Sequence, residues 1–161
     1  MQTHLEIFYM RVMDDQVRYR RKQLNLSELG EDPDRIIQSL IQQNYQTSSG
    51  KVEDEFVIHS TSWRYTPPDG IILTYVAYSD ELEFDQDEAQ NLALEELRAV
   101  TISTPRPHSP AELEKHVVSH AMRHVAFLIK TDHQNALKCF LAPRTIEVFE
   151  ALWIHLAGRV F

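Results

Sequence analysis

The sequence has little of what would place it in a specialised class of proteins. Four glycines among 161 residues exclude a collagen-like or low-complexity chain and leave no glycine-rich phosphate-binding loop. The single cysteine, Cys139, excludes an intramolecular disulfide, and we expect it to be a buried structural thiol in a helix. No apolar run is long enough to cross a membrane, and the first residues lack the pattern of a secretory signal. We therefore expect a soluble, cytoplasmic protein with no membrane partner.

Basic residues are also scarce relative to acidic ones. The chain has 16 Lys and Arg against 24 Asp and Glu, which gives a formal net charge of −8 at pH 7. Duplex nucleic acid is disfavoured as a partner, because binding its phosphates needs a basic field. The hydrophobic fraction of 43% is high enough for a buried core and argues against intrinsic disorder.

The first half of the chain is predicted to contain most of the strands. Residues 5–12 are nearly all apolar, and residues 17–22 alternate after a turn, so the two segments favour antiparallel neighbours. Asp32 suits a helix N-cap before a helix over 33–43. Residues 56–78 form the clearest hairpin, because two strand-like segments flank a turn that contains Pro67, Pro68 and Gly70.

The second half is predicted to be mainly helical. Residues 97–102 are read as a fifth strand that ends at two prolines. Ser109 with Glu112 forms a capping-box pattern that starts a helix running to about residue 130. Two further helical segments are predicted over 132–140 and 144–157.

These elements predict one α+β domain over residues 1–161, with a mixed, largely antiparallel sheet covered by helices. Its strands lie mainly within 4–80 and 97–103, and its helices within 33–43 and 110–157.

The strand over 56–65 carries the best candidates for ligand binding. Period two predicts one face with a histidine, a hydroxyl and two aromatic rings, which suits stacking on a nucleobase. The opposite face presents hydroxyls and an arginine, which suit a phosphate or a carboxylate. The alternative is that the aromatic rings are core and the arginine is solvated. The first face comprises His59, Thr61, Trp63 and Tyr65, and the second comprises Ser60, Ser62 and Arg64.

The second strand has one cationic face, formed by Arg18, Arg20 and Lys22. Three roles are open for these side chains. They face the acidic segment 80–88, bind a phosphate, or protect an exposed sheet edge.

Two groups of residues are candidate metal ligands. His116, His120 and His124 follow one another at four-residue spacing on a helix, which brings neighbouring imidazoles together. A proton-transfer site is the other functional interpretation of this pattern. The competing interpretation is that the three histidines form the edge of an ordinary amphipathic helix. Glu95 and Glu96, together with the acidic segment 80–88, are a candidate Mg²⁺ site.

Segments 59–64, 71–75 and 119–128 resemble the corresponding parts of uncharacterised Nudix-like proteins of bacteria. The resemblance implies an α/β/α sandwich and, in active members, Mg²⁺-dependent hydrolysis of nucleoside diphosphates linked to another group. The family's signature is absent, and only residues 92–96 echo it through paired acids. The resemblance therefore implies a metal role for Glu95 and Glu96 alone, and a degenerate member of the family.

Three functions remain as hypotheses. The first is a non-hydrolytic domain that binds a small ligand or nucleotide through the 56–65 strand and the cationic strand. The second is a noncanonical Mg²⁺-dependent hydrolase of the nucleoside-diphosphate type. The third is a homo-oligomeric interaction module, such as a homodimer, in which Trp153 and the last helix form the interface.

Overall fold

A mixed five-stranded sheet forms the centre of the computed structural model, which describes residues 2–26, 30, 32–45, 50–68, 70–85, 87–102 and 107–153. The predicted α+β class is confirmed, because these residues combine this sheet with α-helices. In chain order the elements are β1 (Gln2–Met13), β2 (Gln16–Asn25), α1 (Pro33–Asn44), β3 (Val57–Thr66), β4 (Gly70–Tyr78), β5 (Gln90–Ala93), α2 (Leu94–Ile102), α3 (Pro110–Thr131) and α4 (Pro143–Leu152).

The strand order in the sheet is β3-β4-β1-β2-β5, so β1 is central. β1 pairs with β4 in parallel, and the other three pairs, β1–β2, β3–β4 and β2–β5, are antiparallel. The chain path explains the parallel pair. After the β1–β2 hairpin the chain crosses through α1 and begins β3 in the direction of β2, so β4 returns in the direction of β1. β3 and β5 are left as the edges of the sheet that the structure describes.

Side chains of β1 alternate between two hydrophobic cores on opposite faces of the sheet. Leu5, Ile7 and Tyr9 pack in one core with residues of α1. Phe8 and Met10 pack in the other core with residues of α2, α3 and α4. Both sides of the central strand are therefore buried, which explains why its sequence is nearly all apolar.

The two predicted helix starts are confirmed in detail. Asp32 is the N-cap of α1 and accepts a hydrogen bond from the Asp34 N–H at 3.0 Å. Ser109 is the N-cap of α3 and accepts from the Glu112 N–H at 3.2 Å. The Glu112 carboxylate accepts from the His108 N–H rather than from that of Ser109, so the capping box is displaced by one residue.

The structure corrects the predicted elements in the second half of the chain. Residues 97–102 belong to helix α2, and the fifth strand is β5, just before it. Helical spacing decides this, because Leu94 and Leu97 lie three residues apart and are both buried. Residues 132–140 hold a short 3₁₀ turn over Leu137–Cys139 instead of a helix. The helical region predicted over 110–157 is therefore interrupted. Residues 154–157 of that region, and residue 103 of the predicted strand region 97–103, lie outside the residues that the structure describes.

Two further expectations concern Cys139 and the membrane. Cys139 is exposed, so the prediction of a buried thiol in a helix is wrong. Its place in the short turn between α3 and α4 leaves its side chain at the surface.

Among the described residues, no helix has the length and apolar character needed to cross a membrane.

Candidate functional site

A β-bulge in β3 changes which side chains share a face. His59 and Ser60 lie opposite Val76 and Tyr75, but the next partner pair joins Ser62 to Thr74, so Thr61 is an extra residue. An extra residue reverses the alternation beyond it.

The predicted faces of this strand are therefore wrong. His59 shares the α3 side of the sheet with Arg64, and Trp63 and Tyr65 lie on the opposite side with Ser60. Thr61 is buried, and its hydroxyl donates to the Thr74 carbonyl at 3.2 Å. The histidine and the two aromatic rings do not form one stacking surface.

Arg64 is held by a buried carboxylate. Its two terminal nitrogens each donate to a Glu6 oxygen at 2.7 Å. The Glu6 carboxylate also accepts from the Thr74 hydroxyl at 2.9 Å and pairs with Arg21 at 2.6 Å. Burial alone raises the pKa of Glu6, but Arg64 and Arg21 outweigh it and hold that pKa below its usual range. Arg64 therefore serves the fold, and a ligand phosphate would have to displace Glu6.

Trp63 and Tyr65 lie at the surface of the edge strand, 69% and 60% exposed respectively. The Tyr65 hydroxyl donates to the Pro68 carbonyl across the hairpin turn. The interpretation of both rings as core is wrong, because the bulge turns them away from the C-terminal helices. The cleft described below is lined by other residues.

The cationic face of β2 is formed as predicted and lies on the α1 side of the sheet. Arg20 is the register partner of Tyr9, which packs in the core beneath α1, and Arg18 and Lys22 share its face. Of the three roles open for this face, the structure shows the first for Arg20. Its Nη1 donates to the Glu88 carboxylate at 2.7 Å, so it faces the acidic segment.

Aromatic rings surround these arginines. The Arg20 guanidinium carbon lies 5.3 Å from the Tyr9 ring centre and 5.8 Å from that of Tyr45, and Nη2 donates to the Tyr45 hydroxyl at 2.6 Å. The Arg18 guanidinium carbon lies 6.0 Å from the Phe84 ring centre. These distances are those of cation–π contacts, so this region accommodates cations over aromatic rings.

A cleft of about 730 Å³ opens beside Arg20, between the end of α1 and the two segments that precede β3 and follow β4. Its volume lies within the range usual for small-molecule sites. Among the residues that the structure describes, its lining has aromatic rings, five carboxylates and one cationic side chain. The lining residues are Arg20, Asn44, Tyr45, Glu55, Phe56, Glu81, Leu82, Glu83, Phe84, Asp85 and Glu88.

Tyr45 is the centre of the aromatic part of this cleft. Its ring centre lies 5.5 Å from that of Tyr9 and 6.0 Å from that of Phe56. Burial raises the pKa of Tyr9 to about 12 and also raises that of Tyr45. Both phenols are neutral hydrogen-bonding groups near neutral pH.

The residues of the predicted Mg²⁺ site are not brought together. Glu95 and Glu96 are exposed in the first turn of α2, and Glu96 pairs with Lys115 at 2.9 Å. Most of the acidic segment lies on the other side of the sheet, since Leu82 packs in the α1 core and Glu88 pairs with Arg20. Asp80 is the exception, because its carboxylate accepts from the Ala142 N–H at the start of α4. Within the described ranges, no three or more His, Cys, Asp or Glu side chains converge in a way that could hold a metal ion.

Two histidines of the predicted stripe do meet, and they meet the bulge of β3. His124 Nε2 lies 3.1 Å from His120 Nε2, which in turn lies 3.2 Å from the Thr61 carbonyl oxygen. The ring centre of His59 is 5.3 Å from that of His124. Burial, reinforced by His120 and His59, lowers the pKa of His124 to about 4, so this imidazole is neutral at pH 7.

Sequence reasoning missed three residues that organise these regions: Glu6, Tyr45 and Phe84. Glu6 had a usable signal, because it is one acid among apolar residues of a central strand and must therefore be paired. Tyr45 and Phe84 stand in polar segments, and nothing in their spacing indicates that they meet Arg20 and Arg18.

Comparisons of the chain with models of known protein families and with curated protein sequences gave no match.

Proposed function

We propose that this protein is a non-hydrolytic domain that binds a small organic ligand in the cleft beside Arg20, and that the ligand is a cation with a flat or apolar body. The observation that supports the proposal is the combination of aromatic rings and excess carboxylates around one cavity. Concave sites with apolar walls and a few polar groups are the usual place for small-ligand binding.

The charge of the lining supports a cation over a nucleotide. Five carboxylates line the cleft, and the single arginine is already paired with one of them, Glu88. A phosphate would meet repulsion from the exposed carboxylates of Glu81, Glu83 and Asp85. A guanidinium or amidinium group would gain a carboxylate partner and a cation–π contact at the same time.

Other functions receive less support from the geometry. The resemblance to Nudix proteins stays a hypothesis about ancestry, and the proposed function does not depend on it. Nucleotides remain the comparison class for the test, since the hydrolase hypothesis requires ADP-like ligands with Mg²⁺. The homodimer hypothesis predicts an anchor at Trp153, whose half-buried ring stacks on Phe127 at 5.8 Å.

Benzamidine and its neutral isostere benzamide test the proposal directly. Both have the same flat ring, but only benzamidine carries a positive charge. We expect millimolar benzamidine to raise the midpoint of thermal unfolding, and benzamide or ADP with Mg²⁺ to leave it unchanged. A rise with ADP and Mg²⁺, or equal rises with benzamide and benzamidine, would contradict the proposal.

Paired variants locate the binding to the cleft. The double substitution Glu81→Gln and Glu83→Gln removes two exposed carboxylates of the lining. It should weaken benzamidine binding by roughly tenfold. Replacing Glu147→Gln and Glu150→Gln on α4 changes the net charge equally at exposed positions outside that lining. The α4 pair should retain the affinity of the unmodified protein.

A further inference from the structure

Three atoms with lone pairs converge where α3 crosses the bulge of β3. They are the Nε2 atoms of His120 and His124, 3.1 Å apart, and the carbonyl oxygen of Thr61, 3.2 Å from the first. The helix supplies two imidazoles from successive turns. The bulge supplies the oxygen, because Thr61 is the extra residue that has no partner position in β4.

One proton serves all three atoms when both imidazoles are neutral. The Thr61 carbonyl only accepts, so the proton on His120 Nε2 points to it, and His124 Nε2 faces the same proton with its lone pair. His124 must then carry its own proton on Nδ1. That nitrogen is buried and has no hydrogen-bond partner among the described residues. Where the two residues meet, the Thr61 carbonyl and the His124 Nε2 lone pair thus share the one proton on His120 Nε2.

The separations match those between neighbouring ligands of one metal ion. The two Nε2 atoms are 3.1 Å apart. If one ion lay about 2.0–2.1 Å from each of them, the nitrogen–metal–nitrogen angle would be about 100°. This angle lies between the octahedral and tetrahedral values. A Thr61 oxygen at 3.2 Å from His120 Nε2 has a similar spacing.

We propose that His120, His124 and the Thr61 carbonyl form a binding site for one borderline divalent transition-metal ion, with Zn²⁺ as the representative, and that water completes the coordination. Two imidazole nitrogens select ions such as Zn²⁺, Ni²⁺ and Cu²⁺ over Mg²⁺, which prefers carboxylates and water. Only two side chains contribute, so the site is compatible with the lack of any three converging His, Cys, Asp or Glu side chains in the described ranges.

The surroundings suit such an ion. Both imidazoles are half-buried between α3 and the bulge of β3. Metal binding would require the His120 proton to move from Nε2 to Nδ1, so that both Nε2 lone pairs and the Thr61 carbonyl oxygen could face the ion. His59 lies beside His124 but outside the converging trio, since their ring centres are 5.3 Å apart.

Long-range ¹H–¹⁵N spectra of the histidine rings test the site in the unmodified fold. The host protein is untagged and carries Cys139→Ser, because the exposed thiol would otherwise compete for the metal. One equivalent of Zn²⁺ should shift the Nε2 resonances of His120 and His124 and leave those of His133, an exposed residue, unchanged. Shifts confined to other histidines, or no shifts at all, would overturn the proposal.

Affinity measurements on variants provide the second readout. His120→Ala and His124→Ala should each weaken Zn²⁺ binding at least tenfold by calorimetry, while His133→Ala keeps the affinity of the host. Circular dichroism with a chelator present establishes that each variant is folded before it is titrated. Unchanged affinity in folded His120→Ala and His124→Ala, or an equal loss in His133→Ala, would refute the site.

Discussion

Glu6 shows at the residue scale how one charge organises a region of the sheet. It stands between Leu5 and Ile7 in the central strand, with its side chain 1% exposed, and it gathers Arg64, Arg21 and Thr74. The cost of burying the carboxylate is offset only by these partners. The arginine that looked available for a ligand is therefore committed to the fold.

Removing one partner of this carboxylate should be costly. Arg64→Met is expected to lower the free energy of unfolding by about 2–3 kcal/mol, because Glu6 stays buried with only Arg21 and Thr74 as partners. Arg144→Met removes an exposed arginine that pairs with Glu147 at 3.4 Å and should cost less than about 0.5 kcal/mol. Urea unfolding of both variants measures the difference, and equal losses would contradict the role of Glu6.

The pKa of Glu6 also gives a pH dependence with a defined sign. Because this pKa is lowered in the folded state, the unfolded chain binds the proton more readily, and acid favours unfolding. The contribution of Glu6 is complete above its ordinary value of 4.5 and is lost as the pH falls through the folded-state pKa.

The stability difference between the unmodified protein and Glu6→Gln should therefore shrink as the pH falls from about 6 to 3. Urea midpoints at several pH values measure it. A difference that stays constant or grows in acid would show that Glu6 is not ionised in the folded protein.

At the scale of elements, β3 shows where sequence patterns stop being sufficient. Its existence and its hairpin with β4 are predictable from alternation and turn residues. The bulge at Thr61 is not, because no residue there has a special backbone requirement that the sequence would show. One extra residue moved Trp63 and Tyr65 to the opposite face, while His59, which precedes the bulge, stayed on the side of α3.

The start of α4 depends on a residue outside the helix. Its N-cap, Ala142, has no capping side chain, and Asp80 after β4 accepts the Ala142 N–H at 2.7 Å instead. The same carboxylate accepts from the hydroxyls of Thr145 at 2.6 Å and Tyr78 at 2.8 Å. One acid of the segment 80–88 is thus structural.

Asp80→Ala should destabilise the protein by about 2–3 kcal/mol, since it removes the cap and leaves the buried Thr145 hydroxyl short of an acceptor. Asp87→Ala, in the same segment but exposed, should change stability by less than about 0.5 kcal/mol. Urea unfolding distinguishes the two, and a negligible effect of Asp80→Ala would refute the capping role.

At the scale of the whole molecule, the net charge of −8 is unevenly placed. Five of the acidic side chains line one cleft, where aromatic rings and Arg20 lie beneath them. Composition predicts the excess of acid, and the alternation of β2 predicts its cationic face. Their meeting could not be predicted, because it depends on how the segment after β4 folds back over β2.

This charge distribution predicts a salt dependence for the proposed ligand. Binding of benzamidine to the cleft should weaken as sodium chloride rises from about 0.05 to 0.5 M, because the exposed carboxylates are progressively screened. Calorimetric titrations at several salt concentrations measure the trend. An affinity independent of salt would show that the carboxylates of the lining do not attract the ligand.

The most direct test of the proposed function is an amide ¹H–¹⁵N titration of the unmodified protein with benzamidine. Shifts concentrated at Tyr45, Phe56 and residues 81–85, absent with benzamide, are the result that the cleft predicts. Shifts centred on Trp63 and Tyr65, the same shifts with ADP, or no shifts at millimolar benzamidine would contradict it.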